Sequence, residues 1–269
     1  KKKMVHFKRT MPAPLVKRRA ASARPASSPR FFAIGDTALD VFVEIEQDAV
    51  HCESNTKTCQ ISFAFGEKVP VKDVQKFPGA GNASNAAVAA KRLGQTSAIL
   101  ATIGADAAGK LILEHWKNEG VDTSYVSRSR ELATNEHIVL THRGERTILI
   151  HHHPYPYALP KRLPTPKRVY YTSLGSGHEE MEQALVGFLD THSSIRVTFQ
   201  PGTFQLKRGA RGTKAILAKT DILVMNKEEA ARFLETPVSS PIQSQLTRFL
   251  ELGPRIAVIT DGEQGSYAA

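Results

Sequence analysis

One group of residues in this sequence has the chemistry needed to hold a small polar molecule. Gly79 and Gly81 allow a sharp turn and a close approach of a ligand to the backbone, and the amide of Asn85 offers a donor and an acceptor to hydroxyl groups. Asp40 follows the first predicted strand, and its carboxylate can accept strong hydrogen bonds from hydroxyl groups. Asp36 is a weaker candidate of the same kind. A solvated turn is the structural alternative for Asp40.

A second group has the chemistry of a phosphate site. Asn226 and Glu229 open a predicted helix directly after an apolar strand. An oxygen-rich pair suits magnesium, although helix capping alone would also explain it. Thr260, Gly262 and Gly265 belong to a glycine turn, whose backbone amides can bind an anion, although by itself this is an ordinary hairpin turn.

These motifs resemble those of a known enzyme family. The segment 80–104 is similar to the N-terminal signature of the ribokinase/PfkB family of carbohydrate and nucleoside kinases. Six positions fall in register, namely Ala80, Gly81, Asn85, Ala87, Gly94 and Gly104. Asn226-x-x-Glu229 resembles the N-x-x-E motif of the family, and Thr260-x-Gly262-x-x-Gly265 resembles its T-x-G-x-x-G turn.

The resemblance implies a three-layer αβα fold with a mostly parallel central sheet and a small β lid, built here from about 44–78 and 134–152. It implies ATP- and Mg²⁺-dependent phosphorylation of a sugar hydroxyl, with Asp40, Gly81 and Asn85 binding the sugar or a related polyol. Some family members pair through their lids, so a homodimer of this kind is an open expectation.

The same resemblance assigns the nucleotide end of the site. Asn226, Glu229, Thr260, Gly262 and Gly265 would bind the nucleotide, and Glu229 would also help to place the metal ion.

The C-terminal G-A-G-D signature of the family does not occur in the sequence. Its aspartate deprotonates the acceptor hydroxyl, so we expect the catalytic aspartate beyond Ala269 and expect a kinase domain, 31–269, that is truncated at its C-terminus. A non-catalytic ligand- or partner-binding protein of the same fold and a nucleoside kinase stay open as alternatives. Asn82 and Ala38 replace a lysine and an asparagine of several ribokinases, which argues against ribose itself.

Composition limits the remaining classes. Ten Lys or Arg and no acidic residue lie in residues 1–30, which leaves 26 basic and 26 acidic residues in the rest. We expect 1–30 to be a disordered basic tail, and the balanced remainder gives no support for nucleic-acid binding. With two cysteines and no long apolar run, a cytoplasmic protein that does not enter a membrane is expected. Gly79-x-Gly81-x-x-Ser84 lacks the last glycine of a dinucleotide-binding fingerprint.

The elements that must position these residues follow from the periodicity. After a proline-rich linker at 154–166, strands and helices alternate, which favours parallel pairing with helices on both faces. The pattern also predicts a hairpin within 60–77 and a helix at 211–219. Three consecutive histidines, His151 to His153, cannot all bind one ion if they lie on a strand, because neighbouring side chains point to opposite faces.

Overall fold

The computed structural model describes residues 29–45, 50–52 and 59–269, so the predicted tail lies outside the described residues except for its last two. The strands are β1 (Phe31–Ile34), β2 (Ala38–Ile45), β3 (Val50–Cys52), β4 (Cys59–Ile61), β5 (Val71–Ala80), β6 (Ser97–Gly104), β7 (Val126–Ser129), β8 (Glu136–His142), β9 (Glu145–His151), β10 (Arg168–Tyr171), β11 (Arg196–Phe199), β12 (Ile222–Asn226), β13 (Ile256–Thr260) and β14 (Ser266–Ala268). The helices are α1 (Asn82–Arg92), α2 (Ala107–Glu119), α3 (Glu179–Asp190), α4 (Thr203–Gly212), α5 (Lys214–Leu217), α6 (Lys227–Phe233) and α7 (Ile242–Glu251).

The central sheet has eight strands in the order β14-β13-β12-β11-β10-β1-β6-β7. All neighbours are parallel except β13 and β14, which are antiparallel. The chain therefore brings the carboxyl ends of seven strands to one edge of the sheet. In sheets of this kind ligands bind at that edge.

Two apolar cores lie on opposite faces of this sheet. Along β1, Phe32 and Ile34 belong to the core beneath α3 to α7, whereas Ala33 belongs to the core beneath α1 and α2. This alternation follows from the two-residue repeat of a strand. The predicted three-layer αβα fold with a mostly parallel sheet is confirmed.

A second sheet of four strands, in the order β5-β2-β8-β9, stands beside the carboxyl edge of the first. It overlaps the ranges expected for the lid, and it also includes β2, which begins at Ala38. The predicted hairpin within 60–77 is wrong, because β5 pairs with β2 and β4 pairs with β3. Asp40 therefore lies on a strand of this second sheet.

The helix predicted at 211–219 covers only the end of a longer helical segment, namely the last residues of α4 and all of α5. Helical structure begins at Thr203 and is divided by Gly209, whose φ of +60° interrupts the helical backbone. Pro201 and Gly202 come directly before the first turn. Among the described residues, no helix is both long and apolar enough to cross a membrane.

Asp106 joins the start of α2 to the segment that leads into β8. Its carboxylate accepts hydrogen bonds from the amides of Gly109 and Thr134 and from the Thr134 hydroxyl, at 2.7 to 2.8 Å. Burial alone would raise the pKa of Asp106, but these hydrogen bonds together lower it below its ordinary 3.8. The motif Gly104-x-Asp106-x-x-Gly109 is therefore structural, since a Cβ on Gly109 would lie 2.2 Å from the Gly104 carbonyl oxygen.

Replacement of Asp106 by alanine should lower the free energy of unfolding at neutral pH by about 2 kcal/mol, because the cap and its hydrogen bonds are lost. The lowered pKa means that this stabilisation is present above pH 3.8 and is lost as the pH falls through the folded-state value. Urea unfolding of the wild type and of Asp106→Ala at pH 7 and at about pH 3 measures the loss of stability and its decrease at acid pH. An equal difference between wild type and Asp106→Ala at the two pH values would contradict this role.

Candidate active site

Asp36 lies just beyond the carboxyl end of β1 and is 5% exposed. Its Oδ2 accepts hydrogen bonds from the Gly175 amide at 2.8 Å and the Tyr157 hydroxyl at 2.7 Å. Burial, reinforced by the charge of Asp36, raises the pKa of Tyr157 far above its ordinary value, so the phenol keeps its proton and donates it. Oδ1 of Asp36 is buried and has no hydrogen-bond partner among the described residues.

The Gly175 peptide is held from both sides. Its amide donates to Asp36, and its carbonyl accepts from Nδ1 of the buried His178 at 2.6 Å. Since that ring nitrogen carries the proton, Nε2 accepts from Arg208 at 2.9 Å. Arg208 also pairs with Glu182 at 2.8 Å, so the loop after β10 is anchored to α3 and α4.

Histidines connect Asp36 to the second sheet. Nδ1 of His152 lies 3.5 Å from Oδ2 of Asp36, and its ring centre is 5.2 Å from that of His137. His137 on β8 places Nδ1 3.1 Å from Oδ1 of Asp40 on β2. The Nε2 atom of His137 is buried without a partner in the described structure. Asp40 is therefore tied to a neighbouring strand, which excludes the solvated-turn alternative.

Gly81 connects β5 to α1 and lies beside the Asp36 backbone. Its φ is +102°, and a Cβ there would be 2.8 Å from the Asp36 carbonyl oxygen. Asn85 is exposed in the first turn of α1, and its backbone N–H donates to the Gly81 carbonyl at 3.0 Å. Asp40 pairs with Phe77 in the β2–β5 register, close to where that ladder ends at Ala80. Asp40 and Gly81 are thus linked through Asp36 and the two histidines, and Asn85 lies one helical turn beyond Gly81.

Asn226 and Glu229 form a reciprocal helix cap. Oδ1 of Asn226 accepts from the Glu229 amide at 2.7 Å, and Oε2 of Glu229 accepts from the Asn226 amide at 2.9 Å. Helix capping therefore accounts for Oδ1 of Asn226 and Oε2 of Glu229. Oε1 of Glu229 makes no hydrogen bond within the described structure. One free carboxylate oxygen fits Mg²⁺, which takes few protein ligands and keeps several waters.

The glycine turn lies beside this cap. Thr260 pairs with Asn226 in the β12–β13 register, so the two motifs end on neighbouring strands. A 3-10 turn at Gly262–Gln264 follows, and a Cβ on Gly262 or Gly265 would meet nothing within 4 Å. Their positive φ values leave the turn's backbone open to a ligand.

A salt bridge fastens the turn to the cap. Nζ of Lys227 lies 3.0 Å from Oδ2 of Asp261, and this hydrogen bond raises the pKa of Lys227. The Asp261 amide also donates to the Gly265 carbonyl at 2.8 Å. The turn therefore has a fixed position relative to the first residue of α6.

Strands β10 and β11 separate the two ends of the site, which places them about 14 Å apart along the sheet edge. The loops between them are closely packed, because a Cβ on Gly202 would lie 2.1 Å from Oγ of Ser173. The hydroxyl of Thr172 donates to the Gln200 carbonyl at 2.7 Å. The edge between the two ends is thus closely packed from backbone and small side chains.

Sequence reasoning missed Tyr157, His137 and His152 as parts of this site. Tyr157 lies in the proline-rich segment that we interpreted as a linker, and the histidines carry no motif. The histidine run gave one usable signal: the rings of His151 and His153 meet edge to face, with their centres 4.7 Å apart, while His152 contacts Asp36. No group of three or more potential metal ligands occurs among the residues that the structure describes.

Residues 39–269 match the profile described as pfkB family carbohydrate kinase. The chain belongs to the pfkB family of carbohydrate kinases. This match confirms the family resemblance of the motifs and covers both ends of the site. It does not identify the substrate.

Known relatives agree with this assignment. Ribokinase of Staphylococcus aureus is 25% identical over 244 residues, which cover 88% of this chain and 74% of that protein. ATP-dependent 6-phosphofructokinase of Thermoanaerobacterium thermosaccharolyticum is 24% identical over 223 residues, or 78% of this chain and 67% of that protein. A solved structure, that of Arabidopsis thaliana ribokinase complexed with ribose and ATP, superposes on this pfkB-family chain with a TM-score of 0.68 at 20% identity. The superposition covers 90% of this chain and 74% of the Arabidopsis chain. The fold is therefore that of ribokinase.

Replacement of Gly81 by alanine should destabilise the protein by about 2 to 3 kcal/mol, because it adds a steric contact with Asp36 to the cost of a positive φ. Gly94→Ala is the matched control, since Gly94 has φ +81° but open space around a Cβ, and it should cost about 1 kcal/mol. Equilibrium urea unfolding compares them. Equal losses in the two variants would show that the contact with Asp36 is unimportant.

Proposed function

We propose that this protein phosphorylates a hydroxyl group of a sugar or related polyol with ATP as the phosphoryl donor. The observation that carries the proposal is that the hydroxyl-binding and phosphate-binding motifs of one kinase family occur at two ends of the same sheet edge. Family membership and the ribokinase fold support it. A cytoplasmic location remains part of the proposal.

At the sugar end, Asp40 accepts hydrogen bonds from substrate hydroxyls, while His137 fixes the orientation of its carboxylate. Gly81 lets the sugar approach the backbone, and Asn85 donates to and accepts from further hydroxyls. The pairing of Asp40 with His137 supports this role, because a carboxylate held by a second side chain loses little conformational entropy on binding.

At the nucleotide end, the backbone amides of Gly262 and Gly265 bind phosphate oxygens, and the Thr260 hydroxyl donates to them. Asn226 and Glu229 orient the hydration shell of a magnesium ion. When bound, that ion would neutralise the negative charge of the phosphate oxygens, which otherwise repels the oxygen of the attacking hydroxyl. Phosphoryl transfer depends chiefly on positioning and charge neutralisation, which the fixed cap and turn are suited to provide.

A non-catalytic binding protein of the same fold is the second candidate. Both candidates bind a polyol and a nucleotide. They differ only in turnover.

The experiment combines binding with turnover, on this chain and on the longest polypeptide that its gene encodes. Calorimetric titration with ribose, fructose, fructose 6-phosphate and nucleosides identifies the ligand, and coupled ADP release measures transfer. Binding with ADP release establishes the kinase, and a phosphorylated nucleoside would establish the nucleoside kinase instead. Binding without ADP release in either polypeptide establishes the non-catalytic protein. Binding of no compound in the panel refutes both.

Glu229 allows capping and metal placement to be separated. Glu229→Gln keeps an acceptor for the Asn226 amide, so the free energy of unfolding should change by less than about 0.5 kcal/mol, whereas Glu229→Ala should cost about 1 kcal/mol. Both variants should weaken Mg²⁺-dependent ATP binding about tenfold, since both lack the carboxylate charge. Unchanged nucleotide affinity in Glu229→Gln would leave capping as the only role of this residue.

A homodimer through the second sheet also remains a proposal. Ile148, Leu149 and Ile150 of β9 are each 43–53% exposed, as are Phe77 of β5 and Ile138 of β8. Exposed apolar residues on one sheet support an interface there. Sedimentation velocity would measure the mass, and a monomer at high concentration would exclude the dimer.

A further inference from the structure

A row of arginines lines the amino-terminal edge of the central sheet, opposite the candidate active site. Arg30 precedes β1, Arg168 and Arg196 begin β10 and β11, and Arg255 precedes β13. In the parallel register Arg168 is paired with Arg196, so their Cα atoms lie about 4.8 Å apart. Two like charges on adjacent strands repel each other.

The carboxylate of Asp221 compensates one end of this row and leaves the other end without a counter-charge in the described structure. Oδ1 of Asp221 lies 2.8 Å from Arg196 and 3.6 Å from Arg255, and its Oδ2 accepts the Val197 amide at 2.8 Å. Both oxygens are therefore used. Within the described residues, Arg30, Lys167 and Arg168 form no ion pair, and all three are exposed.

These three cations and Arg196 surround a groove of about 490 Å³ that is open to solvent. The polar groups that complete its lining include Thr165 and Ser194, and no acidic residue occurs among the lining residues that the structure describes. The size falls within the range of small-molecule sites, about 300 to 1,000 Å³. Guanidinium groups bind phosphate oxygens in pairs, and hydroxyls add neutral donors.

We propose that this groove is a binding site for the phosphoryl group of a small metabolite, separate from the candidate active site. The oxyanion would supply the counter-charge and the acceptor that Arg30, Lys167 and Arg168 lack, whereas Arg196 already pairs with Asp221. A concave groove of limited volume favours a small ligand over a nucleic acid. Binding at this groove does not depend on the kinase mechanism, so the proposal can be tested independently of the proposed function.

The test is a titration of the ¹⁵N-labelled protein with sodium phosphate, at an ionic strength held constant with sodium chloride. We expect the backbone amides of Gln95, Lys167 and Ser194 to shift along one saturable curve. Shifts confined to Gly262 and Gly265, at the candidate nucleotide site, would overturn the proposal, as would the absence of saturation at the groove.

Two variants complete the test. The double variant with Arg30→Gln and Arg168→Gln removes two uncompensated charges from exposed positions. It should weaken phosphate binding at the groove about a hundredfold. Arg211→Gln, an exposed charge on α4 away from the groove, should leave the affinity unchanged. Equal weakening in both proteins would show a general charge effect and refute the site.

A third arm uses a short DNA oligonucleotide. If it saturates the same amides while phosphate does not, the groove is a nucleic-acid surface and the proposal is wrong. If the double variant does not fold, the wild-type amide shifts decide alone, by their saturation at the groove or its absence.

Discussion

The carboxylate of Asp36 holds together three segments that are distant in the sequence. It accepts hydrogen bonds from the Gly175 amide in the loop after β10 and from the Tyr157 hydroxyl in the proline-rich segment. His152, just after β9, lies 3.5 Å from the same oxygen. A buried carboxylate is costly unless such donors surround it. The position of the second sheet over the carboxyl edge therefore depends on this one group and on the residues that enclose it.

The parallel sheet explains why the two edges of the protein have different chemistry. Its carboxyl edge ends in loops of glycine, asparagine and threonine, whose neutral donors suit phosphates and hydroxyls. Its amino edge begins with Arg168, which forms no ion pair among the described residues, and Arg196, which pairs with Asp221. In the two proposals, the same strands present two surfaces for oxygen-rich ligands, one built from backbone amides and one from guanidinium groups.

The sequence allowed the central sheet to be predicted because local patterns determine it. Apolar strands and helices alternate from β10 to β13, and the cap of Asn226 with Glu229 is complete within four residues. The second sheet was predicted less well, since β2 ends at Ile45 and its partner β5 begins only at Val71, after a weakly patterned stretch of chain. Tyr157 and Asp36 are 121 positions apart, and no local signal predicts a contact at that separation.

Helix α1 shows how tightly packing and recognition are coupled in this fold. Its inner face is made of Ala83 and Ala87, both fully buried, and a Cβ on Gly35 would approach Ala83 to 3.0 Å. The helix cannot move closer to the sheet, and a larger side chain would lift its first turn together with Asn85. Evolution of this protein toward a new ligand is consequently freer on β8 and β9 than along α1, where any gain in bulk displaces the proposed binding surface.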